Sequence, residues 1–299
     1  MMKRLLLLTV MLVSACTQEI RTQSPLPVVT ELAPPLTATE VILIPPTETP
    51  IPIPTATPTP VRFPSPQTLP AGAVSMVAIG DSLTQGVGDG TGRGYPGRLL
   101  EMVTMERPGS AITNFGQAGW TSDMLIDGDQ GMFGQVQRAV AEVNLSLSQG
   151  RGVVVLVWIG HNDLWRLYER GDVTDAVEEQ DAQRFASNLD TILIELRGAG
   201  AQVIIALLDD PSNRPAVLQS ENFPGITLDE LESMSMQVQR YNELITQKAE
   251  QYGVLTVDFY SADIFSNPAL LADDGVHPNA AGYDLIAGKW YETLSQLFD

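Results

Sequence analysis

Ser82 stands in Gly80-Asp81-Ser82-Leu83-Thr84, directly after the apolar run Val74-Ser75-Met76-Val77-Ala78-Ile79, and Asp274-Gly275-Val276-His277-Pro278 stands near the other end of the chain. A serine hydroxyl is a weak nucleophile until a neighbouring base takes its proton and a third group holds that base in the right tautomer. Serine, histidine and aspartate together are therefore the residue types for acyl transfer to a serine. The chain has only two histidines. His277 lies three residues after Asp274, a spacing at which a carboxylate on a loop or helix start reaches one imidazole nitrogen while the other faces outward. His161, in Gly160-His161-Asn162-Asp163, is the other candidate base. Asp163 follows it by two, and in a helix those two side chains point to different faces. That geometry favours His277.

The motifs resemble those of the SGNH hydrolases, also called GDSL-type esterases and lipases, in four blocks. These are Gly80-Asp81-Ser82-Leu83, Asn114-Phe115-Gly116-Gln117-Ala118-Gly119, Gly160-His161-Asn162-Asp163 and Asp274-Gly275-Val276-His277-Pro278. They occur in the family's order across residues 74 to 298, and none departs from its pattern. The resemblance implies that Ser82 is the nucleophile and Asp274 and His277 complete the triad. It also implies that the oxyanion is received by the backbone amides of Ser82 and Gly116 and the side chain of Asn162. A close-approaching glycine backbone and a side-chain amide suit that task, and each fixed donor is worth about 2.7 to 4 kcal/mol in the transition state. No Gly-x-Ser-x-Gly is present.

Taken singly, each block also reads as ordinary structure. Gly-Asp-Ser favours turns, Asn114-Phe115-Gly116 reads as a strand end and turn, Asn162 could cap a helix, and His277-Pro278-Asn279 could open the last helix. Their joint occurrence, each in a loop or at a predicted strand end, points to one site. Asp81, Asp163, Asp209, Asp210 and Asp273 are read as structural, with Asp81 and Asp163 bracing the backbone around the nucleophile and the oxyanion loop. Neither a metal nor a cofactor is expected, because the histidines are far apart and the single cysteine lies near the N-terminus.

The elements that position these residues begin after a different kind of sequence. Lys3-Arg4 and the apolar stretch Leu5 to Val13 read as a secretory signal over residues 1–15, too short for the roughly 20 residues of a membrane span. Val13-Ser14-Ala15-Cys16 resembles the lipobox of bacterial lipoproteins, which implies lipidation of Cys16 and an exported, membrane-anchored protein at the cell surface or periplasmic face. Residues 16–70 are expected to form a semi-rigid linker, since fourteen of the 21 prolines fall there. Threonines beside those prolines permit O-glycosylation.

Residues 71–299 are expected to form one domain. Strand-like runs at Val74 to Ile79, Ala111 to Asn114, Val153 to Ile159, Gln202 to Leu208 and Val254 to Phe259 alternate with helical patterns near Tyr95 to Glu106, Gly134 to Ser148, Glu178 to Arg197, Leu228 to Gln251 and Asn279 to Leu297. Their continuous hydrophobicity predicts a parallel sheet covered on both faces, a three-layer α/β/α sandwich with five parallel strands. The family resemblance implies the flavodoxin-like order 2-1-3-4-5. In the last helix Leu285, Ile286, Trp290, Leu294 and Leu297 are expected in the core. Open parallel sheets bind ligands at the carboxyl ends of their strands, where Ser82, Gly116, Asn162 and His277 all fall.

The net charge of −19 argues against nucleic acid as a partner and against electrostatic docking on anionic lipid. Members of the resembled family cleave lipid esters, thioesters, aryl esters and glycan acetyl groups. The expected substrate is a small-acyl or lysophospholipid-type ester, with glycan O-deacetylation or cell-surface O-acyl transfer as alternatives. Candidate pocket segments are Gly86 to Gly94, Trp120 to Phe133, Asp163 to Tyr168 and Asp209 to Gly225. Trp120 and Trp165 could stack on a sugar or pack an acyl chain, although burial is the commoner fate of tryptophan.

Overall fold

Seven consecutive residues, Val74–Gly80, form the first strand, β1, and every one is buried. A strand with both faces covered has no reason to alternate polar and apolar side chains, and β3 (Gly152–Trp158) repeats the pattern. The computed structural model describes residues 63–169, 171, 173–218 and 226–298; the signal segment, Cys16 and the linker as far as residue 62 lie outside the described residues. In chain order the elements are β1, α1 (Ser82–Gln85), α2 (Gly94–Glu106), β2 (Ala111–Asn114), α3 (Ser122–Asp127), α4 (Gln135–Ser148), β3, α5 (His161–Tyr168), α6 (Asp175–Gly198), β4 (Gln202–Leu207), α7 (Pro215–Leu218), α8 (Leu228–Tyr252), β5 (Leu255–Asp258) and α9 (Ala280–Leu294). The sheet has the order β2-β1-β3-β4-β5 and all its pairings are parallel. Helices α2 and α9 pack together on one face, and α4, α6 and α8 cover the other. The expected three-layer fold and strand order are both present.

Under the carboxyl ends of β3 and β5 lies an aromatic cluster, with Trp158 stacked on Phe259 at 4.3 Å and Tyr95 stacked on Trp290 at 5.3 Å. Ile286, Trp290, Leu294 and Leu297 belong to the core as expected, but Leu285 is 50% exposed. It sits one position off the face that buries Tyr283, Ile286, Ala287 and Trp290, and 100° of helical rotation carries it to solvent.

The folded unit also reaches further toward the N-terminus than residue 71. Residues 63–70, expected within the linker, run along the amino ends of the strands. Pro64 O accepts from Arg197 Nη2 at 3.0 Å and lies against Gly253, just before β5. Gln67 N donates to the side chain of Gln202, the first residue of β4. Leu69 contacts Gly152 at the start of β3, is 3% exposed, and donates its N–H to Leu297 O at 2.7 Å. Proline content marks this stretch as a spacer in sequence, yet prolines suit a docked segment too, since they bring no N–H that needs a partner.

Candidate functional site

The site begins where β1 and β3 end level with each other, Gly80 paired with Trp158. A side chain at Gly80 would meet Trp158 O at 2.2 Å and Thr84 Oγ1 at 2.4 Å, so only glycine lets the strands and the following turn approach this closely. Gln135, fully buried at the start of α4, clamps that backbone from both sides. Its Oε1 accepts from Gly80 N at 2.7 Å and its Nε2 donates to Gly80 O at 2.9 Å. Asp81 then caps α1, its Oδ1 accepting from Leu83 N at 2.9 Å. Ser82 is thus the first residue of a short helix, and its N–H finds no acceptor among the described residues.

From the far end of the chain, His277 Nε2 lies 2.9 Å from Ser82 Oγ, and His277 Nδ1 lies 2.7 Å from Asp274 Oδ2. The other oxygen of Asp274 accepts from the backbone N–H of both Val276 and His277 at 2.9 Å. Burial pushes the Asp274 carboxyl up, but those two amides and the imidazole together hold it below its ordinary value. It is therefore an ionised acceptor that favours the proton of His277 on Nδ1 and turns the Nε2 lone pair toward Ser82 Oγ.

His161, the other candidate base, turns away from the serine. It is buried on the first turn of α5, with Nε2 2.7 Å from Asp209 Oδ1 and Nδ1 3.7 Å from Asp81 Oδ2. Its neighbour Asn162 does reach the site, donating through Nδ2 to Trp120 O at 3.0 Å and to Asp81 Oδ2 at 3.4 Å. Asp163 braces the start of α3 from the opposite side of α5, accepting from Ser122 N at 2.9 Å and Ser122 Oγ at 2.6 Å.

Gly116 requires a correction. Its N–H, expected to face the oxyanion, donates to Asn114 Oδ1 at 2.9 Å. Its Cα is pressed against α1, where a Cβ would lie 2.4 Å from Gln85 N. The glycine is needed for that close approach. Along the loop Phe115 N donates to Ala78 O, Gln117 N to Gly80 O, Ala118 N to Gln85 Oε1 and Trp120 N to Gln117 O. Only the N–H of Gly119 finds no acceptor among the described residues of 115–120.

A cavity of about 360 Å³ opens over Ser82 and His277, lined also by Leu83, Trp165 and Val276, by Asn162, and by the charged Glu169 and Arg214. Of the four pocket segments expected, Gly86 to Gly94 and Trp120 to Phe133 contribute nothing to this lining. Trp120 is 3% exposed and lies in the core. Arg214 was not singled out by sequence. Its Nε and Nη2 donate to Asp209 at 2.9 and 2.8 Å, and its Nη1 donates to Val276 O at 3.3 Å. No local pattern announces a contact spanning 62 residues.

Residues 78–285 match the sequence model of the GDSL-like Lipase/Acylhydrolase family. The chain is 24% identical over 235 residues to the uncharacterized protein YpmR of Bacillus subtilis, covering 75% of this chain and 82% of that one. It is 25% identical over 248 residues to a multidomain esterase of Ruminococcus flavefaciens, of which it spans 29%. Among solved structures it resembles a catalytic mutant of Axe2, an acetylxylan esterase from Geobacillus stearothermophilus, with a TM-score of 0.52 at 20% identity over 77% of this chain and 96% of that one. At under a quarter identity, that likeness is one of fold.

Proposed function

The chain belongs to the GDSL-like lipase/acylhydrolase family, and from that premise we propose a serine esterase in which Ser82 is the nucleophile, His277 the general base and Asp274 the group that orients it. The observation that carries this reading is the relay Ser82 Oγ to His277 Nε2 at 2.9 Å and His277 Nδ1 to Asp274 Oδ2 at 2.7 Å. His277 takes the hydroxyl proton as Ser82 Oγ attacks the ester carbonyl. The tetrahedral oxyanion is received by the N–H of Ser82, the N–H of Gly119 and the N–H of Asn162 Nδ2 that in the resting site makes the long 3.4 Å contact to Asp81 Oδ2. As the C–O bond breaks, His277 returns the proton to the leaving alkoxide, and Ser82 keeps the acyl group. Water, deprotonated by the same imidazole, then releases the acid.

Among the described residues only Leu83, Trp165 and Val276 bring apolar side chains to the cavity, which supports short acyl groups over the long chain of a lysophospholipid. The test is hydrolysis of p-nitrophenyl acetate, butyrate and octanoate by the full chain beside Ser82→Ala. We expect acetate to be preferred and the variant to lose at least about 10⁴-fold in kcat. Turnover retained in a folded Ser82→Ala protein would sink the assignment.

Glycan O-deacetylation is the second reading, and one observation favours it. Across α5 from the serine lies a groove of about 470 Å³ lined by Thr121, Asp123, Arg166, Gln180, Asp181 and Arg184 among others, side chains that pair with hydroxyl groups. A structural neighbour described as an acetylxylan esterase is consistent with a sugar alcohol there. Transfer of the acyl group to a cell-surface sugar would use the same intermediate, and a higher product yield with added sugar than with water reveals it.

The proposal includes export and anchoring through lipidated Cys16. The short apolar stretch Leu5 to Val13 followed by Val13-Ser14-Ala15-Cys16 supports it. Fatty-acid labelling that disappears in Cys16→Ala is the expected result.

A further inference from the structure

Behind the triad lie four ionisable side chains that the acyl-transfer steps do not use. Asp81, His161, Asp209 and Arg214 are each less than 5% exposed. Asp209 accepts from Arg214 twice and from His161 Nε2 once. Burial pushes its carboxyl up, but Arg214 and His161 hold it well below the usual carboxylate range. Asp209 is therefore acceptor-only, and His161 Nε2 must carry the proton between them.

That leaves His161 Nδ1, which has no hydrogen-bond partner among the described residues. The carboxylate oxygen nearest it is Asp81 Oδ2, at 3.7 Å. On a neutral imidazole this nitrogen would be a bare lone pair turned toward an anion in a buried place, an arrangement that costs energy on both sides. On an imidazolium it is an N–H facing that anion. With His161 charged, two cations balance two anions; with it neutral, the cluster holds a net buried negative charge.

We propose that His161 is a buried imidazolium that acts as a positioning residue, fixing Asp81 and through it both the Ser82 amide and the Asn162 side chain. Asp81 Oδ1 caps the helix that Ser82 begins, and Asp81 Oδ2 accepts from Asn162 Nδ2. The far end of the cluster secures the base. Arg214 Nη1 donates to Val276 O, between Asp274 and His277, and Ala216 N donates to Gly275 O. One buried array thereby ties the nucleophile, an oxyanion donor and the base loop to a common floor.

The groups that face His161 are consistent with this charge. Asp81 approaches from the end of β1, and Asp209 and Arg214 from the loop after β4. The uncharged ring of Trp158 packs against it from β3, at 6.1 Å. His277, Asp274 and Glu169 share the cavity wall with it. Burial lowers the imidazole pKa and Arg214 adds to that, while Asp209 and Asp81 raise it; the balance is upward.

The proposal rests on the triad assigned above, and its first test needs no substrate. In protein labelled with ¹⁵N-histidine, His277→Ala leaves one imidazole to observe. We expect both His161 nitrogens to remain protonated at about pH 8, well above the ordinary histidine pKa of about 6.5. The second test is His161→Gln, which keeps a neutral donor and lacks the charge. We expect kcat for p-nitrophenyl acetate to fall about 10- to 100-fold, the scale of a misplaced reacting group, with KM within about twofold. A neutral His161 at that pH, or an unchanged kcat in the variant, overturns the clamp. Either result in an enzyme that still requires Ser82 leaves the triad standing.

Discussion

The Asn114 side chain staples the backbone of Gly116 to α1, the helix that Ser82 begins. Its Oδ1 accepts from Gly116 N at 2.9 Å while its Nδ2 donates to Thr84 O at 2.8 Å. The loop thereby takes its position from α1, and Gly116 supplies closeness rather than a free amide.

Gly116→Ala is accordingly expected to harm the enzyme through geometry. The new Cβ would fall 2.6 Å from Thr84 C as well as against Gln85 N, backbone atoms that cannot step aside. Overpacking of this kind costs about 1 to 3 kcal/mol, and the melting temperature and kcat should fall together. Gly119→Ala has open space for its Cβ and strain only from its φ of +78°, about 1 to 2 kcal/mol. It keeps its N–H, so kcat should fall less. Asn162→Ala removes a donor outright and should cost about 10² to 10³ in kcat with little change in stability. Thermal melts and p-nitrophenyl acetate kinetics on the three variants distinguish these outcomes.

Trp165 is the largest apolar side chain among the described residues that line the cavity over Ser82. Trp165→Ala should lengthen the acyl group accepted, raising kcat/KM for butyrate and octanoate relative to acetate by about tenfold, the scale at which one or two methylenes are discriminated. An unchanged ranking would mean the acyl chain lies elsewhere.

Asp163 makes stability depend on pH in an identifiable window. Burial is the main influence on its carboxyl and raises it from 3.8 to about 6, against the lowering effects of Ser122 and Arg184. Between those two values the folded chain holds a proton that the unfolded chain has released, so this contribution to stability declines as pH rises from about 4 to about 6. Denaturant midpoints across that range should lose this component of their slope in Asp163→Asn. A slope identical to that of the parent would contradict it.

Leu69 anchors the entering segment on the floor of the sheet. Leu69→Ala should cost about 2 to 5 kcal/mol, measured by denaturant unfolding, although the residue lies far from the serine. A chain cut to begin at residue 71 should lose at least as much, because it also forfeits the contact of Phe63 with Tyr252 and the hydrogen bond from Arg107 to Pro70 O.

Much of this was legible in the linear chain because its causes are local. Continuous valine and isoleucine marked the covered strands, and the observed β1, β3 and β4 begin and end within a residue of those runs. The pairing of Asp274 with His277 depends on a spacing of three, and the turn at Gly275 keeps the two in register. The capping of α1 by Asp81 depends on a spacing of two.

Tertiary structure alone decided what depends on distant partners. Spacing already favoured His277 over His161, but that His277 meets Ser82 follows from the loop before α9 folding back across 195 residues, and that His161 turns away follows from Asp209 at the next strand end. Which glycine keeps its amide free follows from Asn114 capturing that of Gly116. A hydrogen-bond donor serves one acceptor at a time, and composition and spacing name the donors without saying which acceptor the folded chain brings nearest.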